Sequence, residues 1–431
     1  MTEAAPPPPP GGRRAASAQA PAAPEAALHG PQRPLSQVEF VALIAMLFST
    51  IAFSIDAMLP ALPDIAAEVS PDAINQAQLI ITSFVLGIGL GTLVTGPLSD
   101  AYGRKPVILW FAGLYIFGAA MAWQAQSLEW LLAARVLQGV GAAGPRIVAL
   151  AIVRDLYQGR TMARIMSFVI LVFTLTPAIA PTLGAFIIWL ADWRAIFVSF
   201  VLFSVIGTTW LALRQPETLP VARRRPFRSR ELTQGTREVL SNRLVVLSTV
   251  AQSLCLAMLF ATLSSVQQVF DVTFGRGEHF HFWFAAIALL AGSASLLNSQ
   301  IVERFGMRLI VTVMLATQVV FSALVLGAFA FGLVQGETPF ALYFAWTVGI
   351  FFQAGMTLGN LSALALVPMG HLAGLTASVM GAISNVASVV LAVPIGLLFD
   401  GTPVPLIAGT LVLAILALAV MGPLKRVELT G

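Results

Sequence analysis

Charge, lysine and cysteine are all scarce in this sequence, and each shortage excludes something. Only 10% of the 431 residues are Asp, Glu, Lys or Arg, against 58% hydrophobic. A soluble domain carries about 25% charged residues, so this chain is too apolar to be a soluble globule of its length. One cysteine, Cys255, leaves no intrachain disulfide and no cysteine-rich metal site. Lysine occurs only as Lys105 and Lys425, so the cationic charge is almost all arginine. No Gly-Lys-Ser/Thr phosphate loop is present, which argues against ATP as an energy source. The opening stretch MTEAAPPPPPGGRRAASAQAPAAPEAALHGPQRP has no apolar core and does not read as a cleavable signal peptide. It reads as a disordered Pro/Ala-rich tail over 1–35, either a spacer or a proline-rich docking ligand.

What is abundant is long apolar runs. Each is about 20 residues long, enough to cross a hydrocarbon core, and without water to satisfy the backbone such runs must be helices. Twelve are expected, near 39–60, 76–98, 107–125, 128–153, 164–189, 195–213, 244–268, 280–301, 308–333, 339–366, 373–399 and 404–422. The fold class is therefore an all-α polytopic membrane protein. Six-helix bundles over 36–214 and 244–424 are separated by a central loop over 215–243 and followed by a tail over 425–431. With both termini cytoplasmic, the tails and the inner loops hold 20 of the 24 basic residues, as the positive-inside rule requires. Only Arg194 and Arg276 fall outside, and Arg135 and Arg146 fall within the fourth span. The central cluster RRRPFRSR either enforces this topology or meets anionic headgroups on the inner face. The halves also resemble each other. GPLSDAYGRKPVIL after span two aligns with NSQIVERFGMRLIV after span eight, Gly103 with Gly306, which suggests an internal duplication framing a central site.

Of the 20 acidic residues, only Asp56 falls neither at a span end, nor in a loop, nor in a tail. A charge at mid-bilayer costs about 2.5–3.5 kcal/mol on insertion scales, so Asp56 either serves a function in a water-filled interior or sits near enough to the interface to stay hydrated. Arg135 lies at a similar depth in span four. The two are expected to approach each other, as a conformation-dependent proton carrier or as a static buried pair. Arg146 falls 11 residues after Arg135, about 16 Å further along and on nearly the same face. It either lines the inner cavity and attracts an anionic group or snorkels to headgroups. Candidate substrate contacts are Ser49 and Phe53, at helical spacing from Asp56, together with Arg146, Gln252, Met258, Gln353 and Asn360. A cavity of this kind suits lipophilic compounds, cations among them. The polar members are equally placed to bond helix to helix.

The turn GPLSDAYGRKP carries Gly96, Leu98, Asp100, Gly103, Arg104 and Lys105 at the spacing Gly–x–Leu–x–Asp–x–x–Gly–Arg–Lys. This resembles the loop signature of the major facilitator superfamily, in which the loop is an inner latch between the halves. Arg135–x–x–Gln138–Gly139–x–Gly141 resembles that family's span-four motif, whose arginine is implicated in proton coupling. TLTPAIAPTLGAF in span five resembles the antiporter motif of drug exporters; Pro177 and Pro181 are expected to kink the helix and Gly184 to permit close packing, but Ala180 and Ala185 stand where glycines belong. SIDAMLPALPDIA, AIVRDLYQGR, APTLG and LFDGTPVPL together resemble the bicyclomycin-resistance and chloramphenicol-efflux branch of the twelve-span drug:proton antiporters. Asp400 matches that branch's Phe–Asp–Gly–Thr segment and is read as a turn residue before Gly401, with a proton site as the alternative.

The resemblance implies a secondary active transporter, not an enzyme. It would be a bacterial inner-membrane exporter of drugs or other small lipophilic compounds, driven by protons through Asp56 and Arg135, without cofactor, metal or nucleic-acid partner, and monomeric among membrane lipids. A proton-coupled importer or metabolite exporter of the same fold is the alternative reading, and a non-transporting receptor a further one.

Overall fold

The structure, a computed structural model, describes residues 35–224 and 229–426. The tail over 1–34, Arg225 and Arg228 of the arginine cluster, and residues 427–431 lie outside them. Every regular element among the described residues is helical. The first half comprises α1 (Gln37–Asp56), α2 (Leu62–Val69), α3 (Leu79–Tyr102), α4 (Arg104–Trp123), α5 (Leu128–Leu156), α6 (Gly159–Leu190) and α7 (Arg194–Arg214). A linking helix, α8 (Ser229–Ser241), precedes α9 (Arg243–Gln268), α10 (Phe280–Phe305), α11 (Met307–Ala330), α12 (Thr338–Leu366), α13 (Ala373–Leu397) and α14 (Val404–Arg426). Among the described residues, eleven helical segments are long and apolar enough to cross a membrane. The longest, Thr338–Leu397, runs for 60 residues and breaks at Met369 (φ −120°, ψ 32°) into α12 and α13.

Local chemistry sets the ends. Ser36 and Ser127 hydroxyls accept the backbone N–H groups of Glu39 and Trp130, and Asn242 caps α9 through Leu244 and Val245, each answering donors that a helix start leaves unpaired. Pro60 has no N–H to offer the Asp56 carbonyl, so α1 stops there and the chain crosses a short 3-10 turn into α2. Gly103 and Gly306 have φ of 104° and 76° and hold the same place in the two halves, between α3 and α4 and between α10 and α11. A left-handed backbone there favours glycine, which explains the alignment of the two turns. Within the connection read as a loop, α8 is an added element; it lays Gly235 and Val239 against α9 and α13 while Arg230 and Arg237 stay exposed.

Close packing of small residues joins the helices. A Cβ on Gly139 of α5 would lie 2.1 Å from the Phe84 carbonyl oxygen of α3. The halves meet along α3 and α13 on one side and along α6 and α10 on the other. One face, here called the basic face, carries Arg104, Lys105, Arg154, Arg160 and Arg214; the far face carries Glu68, Arg194 and the start of α3. Among the described residues, the central helices α1 and α5 come nearest to the second half where the turn after Asp56 and α2 meet α9, at the far face. They make no extensive contact with α9 or α12 nearer the basic face, so a crevice between the halves opens toward that face.

Candidate functional site

Asp56 ends α1 just below the far face. It is 4% exposed and takes part in no hydrogen bond or ion pair among the described residues. Beside it, Gly184 of α6 sits so close to Ala57 that a Cβ would lie 2.1 Å from the Ala57 carbonyl oxygen. Ser49, two turns earlier on the same side of α1, accepts a bond from the Thr176 hydroxyl of α6 at 3.1 Å. The acid therefore faces the α6 side of its helix, deep and unpaired, where a full charge is expensive to hold.

The expected contact between Asp56 and Arg135 is not made. Arg135 is fully buried, and its guanidinium donates to the Ile80 carbonyl at 3.2 Å, the Ser54 carbonyl at 3.1 Å and the Gln138 side chain at 2.7 Å, with the Phe84 ring 4.2 Å away. The Ser54 carbonyl is free because the Met58 N–H turns to Ile55 as the helix ends. Arg135 thus ties the broken end of α1 to α3, while Ser54 on that side also meets Tyr115 of α4 at 2.6 Å. Ser54 and Asp56 are about 200° apart around the helix; equal depth placed the acid and the arginine at one level but on different sides of α1.

An uncharged seal closes the far face. Asn75 donates to the Phe399 carbonyl at 2.8 Å, Gln78 to Gln268 at 2.7 Å, Ser265 to Gln78 at 2.9 Å and Gln268 to Asn75 at 2.7 Å. Every one of these bonds crosses between the halves. A Cβ on Gly396 would lie 2.0 Å from the Gln78 side-chain oxygen, so the seal also requires a residue without a side chain there. Nothing in the charge pattern marked these amides.

On the basic face, Arg104 donates to Asp100, to Ser99 at 2.8 Å and to Asp155 at 3.1 Å. Glu217, in the chain leaving α7, accepts the Arg104 and Lys105 backbone N–H groups at 2.9 and 3.0 Å, and Lys105 reaches the Ala212 carbonyl at 2.6 Å. A carboxylate at this helix start is favourable for both hydrogen bonding and the helix dipole. The Asp100–Arg104 pair follows the sequence spacing; Glu217 and Asp155 were missed because they come from other segments. Of the expected latch residues, Gly96 abuts the second half, 3.3 Å from Ser378 for an added Cβ. The charged members bond within the first half and the segment leaving it.

The remaining candidates divide. Phe53 packs on Phe200 and Phe203 of α7, inside its own bundle and away from the crevice. Met258 is fully buried in the second half's core. Gln252 accepts from Ser362, Gln353 donates to Thr357 and Cys255, and Asn360 donates to Asn298; all three are committed to contacts among second-half helices. Arg146 is exposed, with its guanidinium 5.9 Å from the Phe173 ring of α6. α6 runs as one helix from Gly159 to Leu190 with Pro177 and Pro181 inside it. Asp400 accepts the Thr402 N–H and hydroxyl at 3.0 and 2.7 Å, which hold its carboxyl below the usual carboxylate range; with Gly401 at φ 90° it is a turn.

The family model of the Major Facilitator Superfamily matches residues 42–394. The chain belongs to this superfamily. It is 27% identical over 387 residues to an uncharacterized MFS-type transporter, YdgK, of Bacillus subtilis, covering 89% of this chain and 95% of that one. It is 29% identical to a bicyclomycin resistance protein homolog of Haemophilus influenzae, over 80% and 85% of the two chains. It is 30% identical to the multidrug resistance protein MdtL of Shigella dysenteriae, over 62% and 67%. These names accord with the branch suggested by the short motifs. The D-xylose-proton symporter superposes with a TM-score of 0.68 at 16% identity over 90% of this chain and 97% of its own, which shows a shared fold. The molecule is thus a multi-pass membrane transporter of the major facilitator type.

Proposed function

We propose that this major facilitator protein exports drugs or other small lipophilic compounds in exchange for protons by alternating access. It would lie in the bacterial inner membrane as a monomer with twelve crossings, its termini and basic face in the cytoplasm. The observation carrying this reading is Asp56: a buried acid with no hydrogen bond or ion pair, placed between the seal of the far face and a crevice open to the other. In this conformation the crevice admits substrate from the basic face. Opening the Asn75–Gln78–Gln268 seal would bring water from the far face to Asp56, and separation of the halves would let substrate leave there. Proton binding neutralises a charge that the bundle otherwise holds without a partner, so proton uptake and release favour different conformations. Arg135 positions the helix end that carries Asp56. The arginines on the basic face support the orientation, and the relatives named for multidrug and bicyclomycin resistance support export.

The test is a proton flux. Purified protein in liposomes holding a pH dye, challenged with lipophilic compounds, should show substrate-evoked proton movement that Asp56→Asn abolishes. Wild-type flux in the Asn variant would overturn the coupling role, and import driven by a proton gradient would reverse the direction.

A further inference from the structure

We infer that the crevice selects organic anions through Arg146, so that the exported compounds include apolar or aromatic molecules bearing an acidic group. This deepens the export reading and rests on it. α5 is covered by α1, α3 and α4, and its remaining side faces the crevice. Arg146 is exposed there and makes no hydrogen bond or ion pair among the described residues. Snorkelling to headgroups would require the side chain to point toward the basic face. It does not. Helical side chains lean toward the helix N-terminus, which for α5 is at the far face. The guanidinium accordingly stands against Phe173 at 5.9 Å, and Phe173 is about 21 Å along α6 from its basic-face end, near mid-helix.

The surroundings leave that charge uncompensated. α6, α9, α12 and α13 contain no Asp or Glu. The carboxylates nearest along α1 and α5 are otherwise placed: Glu39 pairs with Arg214, and Asp155 bonds Arg104 and Thr218. Asp56 is buried on the α6 side of α1 near the opposite end. At the basic-face ends of α5, α6 and α9, Arg154, Arg160, Arg164 and Arg243 are all exposed, against one exposed carboxylate, Glu303, at that end of α10. Cationic walls in a low-dielectric cleft concentrate anions and repel cations. The guanidinium fork binds carboxylate, sulfonate or phosphate oxygens in pairs. Phe173 offers a ring face for an aromatic body, and Pro177 lacks the N–H that would satisfy the Phe173 carbonyl, leaving an acceptor for a substrate hydroxyl or amide beside it. The lipophilic cations that the sequence admitted as cargo do not suit this chemistry.

The experiment uses the full chain in liposomes with an imposed pH gradient and two sets of xanthene dyes: fluorescein and 5-carboxyfluorescein, which are anionic, and rhodamine 6G and rhodamine 123, which are cationic. Wild type should move an anionic dye, Arg146→Gln should slow that movement at least tenfold, and Arg146→Lys should restore a substantial part of it. Should Arg146→Gln fold poorly, the Lys variant and its wild-type thermal midpoint carry the comparison: retained preference for anionic dye supports the inference, and lost preference overturns it. Transport of cationic dyes alone, or anionic transport by Arg146→Gln within twofold of wild type, overturns the inference while leaving export intact. Wild type that moves no dye and exchanges none at zero gradient counts against the export reading itself.

Discussion

Replacing Gln78 by Ala should release the far-face seal by a calculable amount. The Gln78 amide donates to Gln268 at 2.7 Å and accepts from Ser265 at 2.9 Å, and both bonds exist only while the halves are joined there. A neutral hydrogen bond contributes about 1 kcal/mol net, so losing two shifts the balance between closed and open far face by about 2 kcal/mol, or roughly 30-fold in population. Thr82, one turn further along α3 and 2% exposed, reports that opening. In a Cys255→Ser background, Thr82→Cys should react with a membrane-impermeant maleimide applied to one vesicle face at a time. From the far face the modification rate should rise roughly 30-fold on adding Gln78→Ala, within the scatter of such bond energies. A rate within twofold of the parent would show that these amides do not hold the seal.

Three further substitutions test other parts of the account. Gly184→Val places carbon where only 2.1 Å separates a Cβ from the Ala57 carbonyl oxygen; overpacking of about 1–3 kcal/mol should lower the thermal midpoint in detergent, and an unchanged midpoint would contradict the α1–α6 contact. Glu217→Ala removes the acceptor of the Arg104 and Lys105 N–H groups, and hydrogen exchange at the start of α4 should speed up about 10–100-fold, as expected for about 1.5–3 kcal/mol of lost charge-assisted bonding; unchanged exchange would assign the cap elsewhere. Arg135→Lys keeps the charge but loses the fork that reaches Ile80, Ser54 and Gln138. Transport should fall by about tenfold, equivalent to about 1.4 kcal/mol of lost positioning, whereas wild-type rates would mean that charge alone matters.

Depth was legible in the sequence; direction around each helix was not. Apolar run length fixed where helices lie, and the glycine-bearing turns at Gly103 and Gly306 revealed the duplication because a left-handed backbone constrains residue type. Asp56 stood out because an acid is costly in an apolar run. Its relation to Arg135 was misread because the level of a residue comes from counting while its azimuth depends on packing, and the arginine found backbone carbonyls at a helix break instead. Gln252, Gln353 and Asn360 have the composition of cavity residues yet bond their neighbours, a distinction set by tertiary contacts. The far-face amides carried no signal, since uncharged Asn and Gln near span ends are ordinary until the partner helix is known. Arg146 was ambiguous for the opposite reason: its surroundings decide its role, and they come from α6 and from the absence of acids on facing helices.

The central claim is that Asp56 couples protons to substrate and is not merely structural, and one comparison in liposomes separates these. For any transported compound, exchange at equal concentrations on both sides, without a pH gradient, requires the conformational cycle but no coupling. Accumulation against a gradient requires both. Asp56→Asn should retain exchange at a rate comparable to wild type and lose proton-driven accumulation. Accumulation at the wild-type level in that variant would contradict the account, and loss of exchange together with accumulation would assign Asp56 to the integrity of the bundle instead of to coupling.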